Sequence, residues 1–323
     1  MRAVFLDYET VSYSDLVTAS LMRVMPTLRL YDNTADSQLV ERIEHAEVVL
    51  LNKIGLARAA LEAAPRLRLI AVAGTGTDHI DLECAEERAI GVCNVRGYCT
   101  QSVAQLVWSM ILCLTQHLPA YHRLAIAGAW TGGARFGGAA HRIRELDRLV
   151  LGIVGWGELG RAVAKIAESF HMRVLVAHRP GGTLPVDGKA GPQRLDLRSL
   201  LAIADVVSLH CPLTEHTRGM IGAAELALMK KDALLINTAR GGLVDSGALA
   251  EALKSGRLGG AGIDVLTQEP PVDGDPLLDA SIPNLVVTPH IAWAARESRQ
   301  RCLDEMAANI QDFLSGGRRG RVV

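Results

Sequence analysis

The sequence predicts an α/β protein of two domains, each built on a doubly wound parallel sheet, with a cleft between them. Two observations predict this fold class. A chain of 323 residues is long enough for two ordinary domains. Short apolar runs also alternate with helical patterns in two separate series. One long helical stretch divides the two series, so we expect the domains to meet there.

The first series predicts five strands with helices between them. Its apolar runs cover residues 3–6, 28–31, 48–51, 69–72 and 92–94, and helical patterns cover 37–46 and 57–64. Because strand–helix alternation is typical of parallel sheets, we expect a flavodoxin-like domain with helices on both faces of its sheet.

The dividing stretch covers residues 100–127 and has apolar residues at helical spacing. Pro119 lies inside it, and a proline in a helix interior should kink or split the helix. The following segment, 128–141, is rich in glycine and alanine, so we expect an irregular arm there rather than a core element.

The second series predicts six more strands. They cover residues 150–154, 173–177, 206–210, 234–237, 261–265 and 285–288. A last helical pattern at 294–314 comes after these strands, so we expect it to pack on the first domain. The predicted domains are therefore 1–99 with 292–323, and 100–291.

Composition argues against a nucleic acid or a membrane as partner. Lys and Arg number 34 against 35 Asp and Glu, so there is no basic excess. No apolar stretch reaches the roughly 18 residues of a membrane span, and the start MRAVFLDYET predicts a strand rather than a signal peptide. The six cysteines lack CxxC and zinc-site spacing. We therefore expect reduced thiols, no metal site and a cytoplasmic location.

A glycine-rich fingerprint, Gly155-Trp156-Gly157-Glu158-Leu159-Gly160, stands between a predicted strand and a predicted helix. Gly155 suits a tight turn, Gly157 lets the backbone approach a pyrophosphate, and Gly160 lets helix and strand pack closely. The helix N-terminus supplies unpaired N–H groups and a partial positive charge for phosphates. This pattern predicts a Rossmann dinucleotide-binding domain at 100–291.

The second strand of this domain ends at His178, where such domains normally carry an acid that binds the ribose 2′-hydroxyl. No carboxylate is present there to repel a 2′-phosphate, and Arg179 could pair with one. The cofactor is therefore predicted to be NADP(H) or NAD(H), with a lean toward NADP(H). Alternatively, His178 binds a plain ribose and Arg179 stacks on the adenine.

Three polar residues follow the fingerprint in positions that suit hydride reduction of a carbonyl. Arg240 can hold a substrate carboxylate at two points, and His290 can move a proton near neutral pH. Glu269 can bind the other ring nitrogen and favour the protonated ring. Each residue alone also has a purely structural interpretation, and only the combination indicates catalysis.

At these residues the chain resembles the D-isomer-specific 2-hydroxyacid dehydrogenases, with motifs in family order from about residue 48 to residue 309. The motifs are VAGTGTDHID, LGIVGWGELGRAVA, SLHCPLTEHTRGMIG, LLINTARGGLVD, GIDVLTQEPP and NLVVTPHIAW. Within the family, CNVRGYCTQSVAQ and PHIAWAARESRQR look most similar to bacterial glycerate dehydrogenases, also called hydroxypyruvate reductases.

The resemblance implies further roles. The first domain would bind substrate, with main-chain N–H groups at Thr75 and Gly76 holding its carboxylate and Lys53 facing it; the alternative for Lys53 is a solvated lysine. Asp264 would bind the nicotinamide carboxamide, unless it is an ordinary turn carboxylate. The implied cofactor-binding set also includes, within these motifs, Glu158, Leu159, His210, Pro212 and Thr238.

The resemblance also implies a homodimer formed through the helix and arm at 100–145. An aromatic side chain of the arm, Phe136, could then reach a partner's active site, and Trp293 could line the pocket. Simple hydrophobic packing is the alternative for both aromatic residues.

Together these features predict an NAD(P)-dependent oxidoreductase that reduces a small 2-oxo acid, hydroxypyruvate or glyoxylate, to D-glycerate or glycolate. Two other functions remain open. The chain could be a non-enzymatic regulatory protein that senses NAD(H), or a family member that acts on another small anion such as formate or phosphite.

Overall fold

The computed structural model describes residues 1–128, 130–131, 141–178 and 191–323. They divide into two compact units. The first unit is Met1–Cys99 together with Trp293–Val323, and the second unit is Thr100–Ala292. Each unit contains one sheet of parallel strands with helices between them, which confirms the predicted α/β class.

The first unit has a five-stranded sheet in the order β2-β1-β3-β4-β5. Its strands are β1 (Ala3–Phe5), β2 (Arg29–Leu30), β3 (Val48–Leu51), β4 (Leu69–Val72) and β5 (Gly91–Cys93). Its helices are α1 (Ala19–Val24), α2 (Asp36–Ile43), α3 (Arg58–Glu62), α4 (Leu82–Glu87) and α11 (Arg296–Leu314). Every residue of β3 and β4 is buried, because helices cover both faces of the sheet.

Helix α11 belongs to the core of the first unit although it comes last in the chain. Its residues Leu303, Met306 and Ile310 are buried in the same hydrophobic cluster as Phe5 of β1 and Leu21 of α1. Because these contacts join the two ends of the sequence, the first unit is complete only when both segments are present.

The second unit has a seven-stranded sheet in the order β12-β11-β10-β9-β6-β7-β8. Its strands are β6 (Val150–Val154), β7 (Arg173–Ala177), β8 (Arg194–Leu195), β9 (Val206–Leu209), β10 (Leu234–Asn237), β11 (Gly260–Ile263) and β12 (Leu285–Val287). Its helices are α5 (Thr100–Gln116), α6 (Leu118–Ile126), α7 (Glu158–Ser169), α8 (Leu197–Ile203), α9 (Ala223–Leu228) and α10 (Ser246–Lys254). The prediction of six strands missed β8, a two-residue edge strand that has no apolar run to reveal it.

The long helical stretch is split, as Pro119 predicts. His117 takes a left-handed conformation with φ 51°, and α6 then begins with Pro119 in its first turn, where a missing N–H costs nothing. Helix α5 buries eight side chains, whereas α6 buries none. Residues 129 and 132–140 of the predicted arm lie outside the described residues.

No single helix in the described ranges is long and apolar enough to cross a membrane. Helices α5 and α6 pass the same test of length and composition only as a pair, and they are bent by 55° where they meet. Most of the apolar side chains of α5 are buried in the second unit, as expected of a core helix.

Candidate active site

The predicted polar residues of the second unit lie at one edge of its sheet. Gly155, His210, Thr238 and Asp264 directly follow β6, β9, β10 and β11, and His290 lies three residues beyond β12. These five strands are consecutive neighbours in the sheet and run in parallel. Their carboxyl ends therefore meet at the edge where parallel sheets bind ligands.

The glycine fingerprint forms the turn between β6 and α7. Gly155 has φ +105°, and a Cβ atom there would lie 2.5 Å from the carbonyl of His210. At Gly160 a Cβ atom would overlap the carbonyl oxygen of Gly155. Gly157 precedes the first residue of α7, and a Cβ atom there would meet nothing within 4 Å. The turn therefore leaves open space at the N-terminus of α7, where an anion can bind.

Glu158 and Leu159 are the first two residues of α7. The carboxylate of Glu158 accepts a hydrogen bond from the hydroxyl of Thr100 at the start of α5, at 2.5 Å. This bond holds the carboxylate toward α5. The N–H groups in the first turn have no acceptor within the helix and are available to a ligand.

Two buried polar atoms at this edge lack a hydrogen-bond partner among the described residues. They are Nδ1 of His210 and Oγ1 of Thr238, which follow the neighbouring strands β9 and β10. The other ring nitrogen of His210 pairs with the hydroxyl of Ser208 at 2.9 Å. Because buried polar atoms are nearly always hydrogen-bonded, these two indicate that a polar ligand binds here.

Pro212 is exposed, and its carbonyl accepts a bond from Thr217 at 2.8 Å.

Burial lowers the pKa of His210 from 6.5 to about 4. The ring is therefore neutral in the folded protein at neutral pH, while the unfolded chain takes up a proton as the pH falls below about 6.5. Stability that is present above pH 6.5 is lost as the pH falls toward 4. The full loss is on the order of 3 kcal/mol.

We predict that His210→Gln loses less stability than the wild type between pH 7 and about 4.5. Glutamine keeps a polar partner for Ser208 but does not titrate. The free energy of unfolding from urea titrations at each pH measures the effect, with the exposed His216→Gln as the control. If the free energy of unfolding falls with pH to the same extent in wild type and in His210→Gln, burial of this ring does not determine the loss of stability in acid.

Glu269 and His290 form a close pair. Nδ1 of His290 lies 2.5 Å from Oε2 of Glu269, and Oε1 of the same carboxylate accepts the N–H of Leu266 at 2.9 Å. His290 has φ +53°, and its N–H donates to the carbonyl of Asp264 at 2.7 Å. The glutamate therefore fixes one ring nitrogen, and Nε2 donates to no acceptor among the described residues.

Asp264 holds the segment that carries His290. Its side chain is 1% exposed and accepts bonds from the hydroxyl of Thr288 at 2.5 Å and from the N–H groups of Ile291 and Ala292 at 2.8 and 2.9 Å. Burial raises its pKa above the ordinary value. Oδ2 accepts only one of these hydrogen bonds and can accept another. The bond from the nicotinamide carboxamide to Asp264 stays a prediction.

Arg240 follows β10 in a turn that is fixed by Asn237. The side chain of Asn237 donates to the carbonyl of Arg240 at 2.9 Å and accepts the N–H of Ala239 at 3.0 Å. The guanidinium is half-buried and donates to the carbonyl of Ala239 at 2.8 Å. Sequence reasoning missed Asn237, for which the only signal is an asparagine at the end of an apolar strand.

In the first unit, Lys53 and the segment Thr75–Gly76 follow the neighbouring strands β3 and β4. Nζ of Lys53 lies 6.0 Å from the centre of the Trp293 ring. The buried carboxylate of Asp7 accepts the N–H groups of Asn52, Lys53 and Ile54 at 2.9, 2.6 and 3.1 Å. Asp7, which sequence reasoning missed, therefore fixes the backbone of Lys53.

His178 directly follows β7, and its N–H donates to the carbonyl of Leu195 in β8 at 2.7 Å. Asp196 directly follows β8 and caps α8. Its carboxylate accepts hydrogen bonds from the N–H and the hydroxyl of Ser199. Arg179 and Phe136 lie outside the described residues. Within the part of the chain that the structure describes, no group of three or more His, Cys, Asp or Glu side chains could hold a metal ion.

Comparison with known proteins identifies the class to which this fold and this site belong. The family model for the NAD-binding domain of the D-isomer specific 2-hydroxyacid dehydrogenases matches residues 108–292. The chain belongs to this family, which confirms the resemblance seen in the sequence. The turn at Gly155 and the unpartnered atoms of His210 and Thr238 fit the nicotinamide dinucleotide that this domain binds.

Particular relatives are similar over nearly the whole chain. A glycerate dehydrogenase of Methylorubrum extorquens is 40% identical over 316 residues, which are 98% of this chain and 96% of the relative. A hydroxypyruvate reductase of Blautia hydrogenotrophica is 33% identical over 98% of both chains. The crystal structure of the TT0316 protein from Thermus thermophilus is 34% identical and covers 100% of both chains with a TM-score of 0.87.

Proposed function

We propose that this protein reduces hydroxypyruvate, and also glyoxylate, to the corresponding D-2-hydroxy acid with a nicotinamide cofactor. The pair of His290 and Glu269, with 2.5 Å between Nδ1 and Oε2, carries the proposal. It stands at the same sheet edge as the glycine turn for the dinucleotide. The names of two relatives that align over nearly the whole chain, a glycerate dehydrogenase and a hydroxypyruvate reductase, support the choice of substrate.

The chemistry divides among three side chains. The bound cofactor supplies the hydride that the carbonyl carbon receives. Arg240 binds the substrate carboxylate and polarises the carbonyl oxygen, which gains negative charge as the C–H bond forms. His290 donates a proton from Nε2 to that oxygen, and Glu269 stabilises the charged ring through Nδ1. In the reverse direction, His290 accepts the hydroxyl proton.

We propose that NADPH is preferred over NADH. The strand end that normally carries an acid for the ribose holds His178, and the carboxylate of Asp196 on the neighbouring strand is occupied as a helix cap. Residue 178 therefore presents no carboxylate that would repel a 2′-phosphate. Arg179, next in sequence, is proposed as its partner.

The purified protein mixed with hydroxypyruvate and either NADPH or NADH tests both proposals through absorbance at the nicotinamide band. We expect turnover with both cofactors and a higher kcat/KM with NADPH. In His178→Asp the preference should reverse toward NADH, because a carboxylate binds the ribose diol and repels the phosphate. Faster oxidation of NADH by the wild type would discard the cofactor preference. Cofactor binding without turnover would favour the sensing function or another anion.

We also propose a homodimer formed through residues 100–145. Helix α6 buries no side chain, and Leu118, Ile126 and Trp130 are more than half exposed. Exposed apolar side chains grouped on a helix and on the turn after it are typical of a surface that a partner covers. Sedimentation of the purified chain at micromolar concentration should give the mass of two chains, and a monomer would contradict the proposal.

A further inference from the structure

The main chain at Gly74–Gly76 is held from one side by residues 94 and 95. The N–H of Val95 donates to the carbonyl of Gly74 at 2.9 Å. The side-chain amide of Asn94 donates through Nδ2 to the carbonyl of Thr75 at 2.7 Å. The hydroxyl of Thr75 also turns to this side and donates to the carbonyl of Val95 at 2.8 Å.

These bonds determine where the neighbouring N–H groups point. In a trans peptide the carbonyl and the following N–H lie on opposite sides of the chain. Because the carbonyls of Gly74 and Thr75 both point toward residues 94 and 95, the N–H groups of Thr75 and Gly76 both point away from them. Neither N–H donates to an acceptor among the described residues. Two adjacent N–H groups on one side of the chain form a binding site for an anion.

Asn94 is itself fixed from several directions. Its side chain is 5% exposed, and Oδ1 accepts Nε of Arg96 at 3.3 Å, which orients the amide with Nδ2 toward Thr75. Its carbonyl accepts Nδ2 of Asn309 in α11 at 3.0 Å, and its N–H donates to the carbonyl of Gly320 at 2.9 Å. The amide that holds the Thr75 carbonyl is therefore rigid.

We propose that Asn94 is a positioning residue for substrate: its amide holds the Thr75 carbonyl so that the N–H groups of Thr75 and Gly76 bind the carboxylate of the 2-oxo acid. This inference rests on the proposed function. Asn94 touches no reacting atom, and it acts only through the orientation of one peptide group. Without the amide, that peptide can rotate, and part of the N–H pair is lost before substrate binds.

Asn94→Ser tests the proposal, because the serine hydroxyl lies one bond closer to the main chain than Nδ2 of Asn94 and cannot reach the Thr75 carbonyl from there. We expect KM for hydroxypyruvate to rise about tenfold, the order expected for a lost hydrogen bond, with kcat changed less than about twofold. The carboxylate is bound equally in the ground state and the transition state, so its loss affects KM rather than kcat. The Kd for oxalate, an unreactive analogue, should rise by the same factor in calorimetry, and the Kd for NADPH should not change.

Asn284→Ala is the matched control. The side-chain amide of Asn284 also donates to a main-chain carbonyl, that of Gly259, before β12 in the second unit. This variant should lower Tm without changing KM or the oxalate Kd. If it raises KM by the same factor as Asn94→Ser, the effect follows from stability and the proposal is overturned.

Asn94→Asp gives a second test with a side chain of the same size. The Arg96 guanidinium, whose Nε lies 3.3 Å from Oδ1 of Asn94, favours the ionised form of such an acid. An ionised carboxylate would face the Thr75 carbonyl without a proton to donate. We therefore expect KM for hydroxypyruvate and the Kd for oxalate to rise at least as far as in Asn94→Ser. A KM within about twofold of wild type counts against the proposal.

The oxalate titration separates this inference from the proposed function. If the wild type binds oxalate more tightly than Asn94→Ser but reduces no 2-oxo acid, the positioning role stands and the proposed reaction fails. If the two proteins bind oxalate equally, Asn94 does not position the N–H pair, even if the enzyme is active.

Discussion

Replacement of His290 by alanine is expected to lower kcat for hydroxypyruvate reduction by about 10²–10⁴-fold, the usual contribution of a general acid. The ring is fixed through Nδ1 by Glu269, so Nε2 is the nitrogen that can donate to the carbonyl oxygen. The Kd for NADPH should stay the same, because the side chain transfers a proton rather than binding the dinucleotide. Steady-state rates and a cofactor titration measure the two quantities.

His290→Gln separates proton transfer from simple hydrogen bonding. Glutamine can donate a hydrogen bond to the substrate but cannot give up a proton, so its kcat should fall nearly as far as in His290→Ala. The exposed His45→Ala is the control and should keep the wild-type rate. A kcat of either His290 variant within about threefold of wild type would remove His290 from the mechanism.

Arg240→Ala is expected to lower kcat/KM by roughly 10²–10³-fold. The loss combines two charge-assisted hydrogen bonds, each worth about 1.5–3 kcal/mol and only partly additive. KM should rise because the substrate carboxylate loses its anchor. kcat should also fall because the carbonyl oxygen is no longer polarised. The turn itself should persist, since Asn237 fixes it through main-chain atoms.

Arg240→Lys tests whether residue 240 must donate two parallel hydrogen bonds to the substrate carboxylate. Lysine keeps the positive charge but cannot place two parallel donors on one carboxylate, so it should recover only part of the lost kcat/KM. Arg198→Ala removes an exposed arginine that pairs with Glu225, and it should leave both constants unchanged. Full activity in Arg240→Lys would show that charge alone is sufficient.

The main strands could be predicted because their apolar runs are long and uninterrupted. The structure reproduces 48–51, 69–72, 150–154, 173–177 and 234–237 with the predicted bounds. Sequence reasoning failed where an element has no such run. Strand β8 is an arginine and a leucine at a sheet edge, and its place is set by pairing with β7 rather than by its own composition.

The residues of the candidate site also fall into those that could be predicted from the sequence and those that could not. Arg240, Glu269 and His290 could be singled out because their chemistry is distinctive and they follow strand ends. Asp7, Asn94 and Asn237 could not, because they act through bonds to main-chain atoms. Asp7 reaches residues 45 to 47 positions later, and Asn94 reaches back 19 positions. Such contacts depend on the tertiary fold, which periodicity does not specify.

The order of synthesis matters for a unit whose core includes both ends of the chain. The second unit is one continuous segment of 193 residues, Thr100–Ala292, and can fold as soon as it leaves the ribosome. The first 99 residues must wait for α11. At about 5–20 residues per second, this delay is roughly 10–40 s. During that time Phe5 and Leu21 lack the side chains of Leu303, Met306 and Ile310 that cover them in the finished fold. We therefore expect the nascent amino-terminal segment to be the part of this protein that most needs a chaperone.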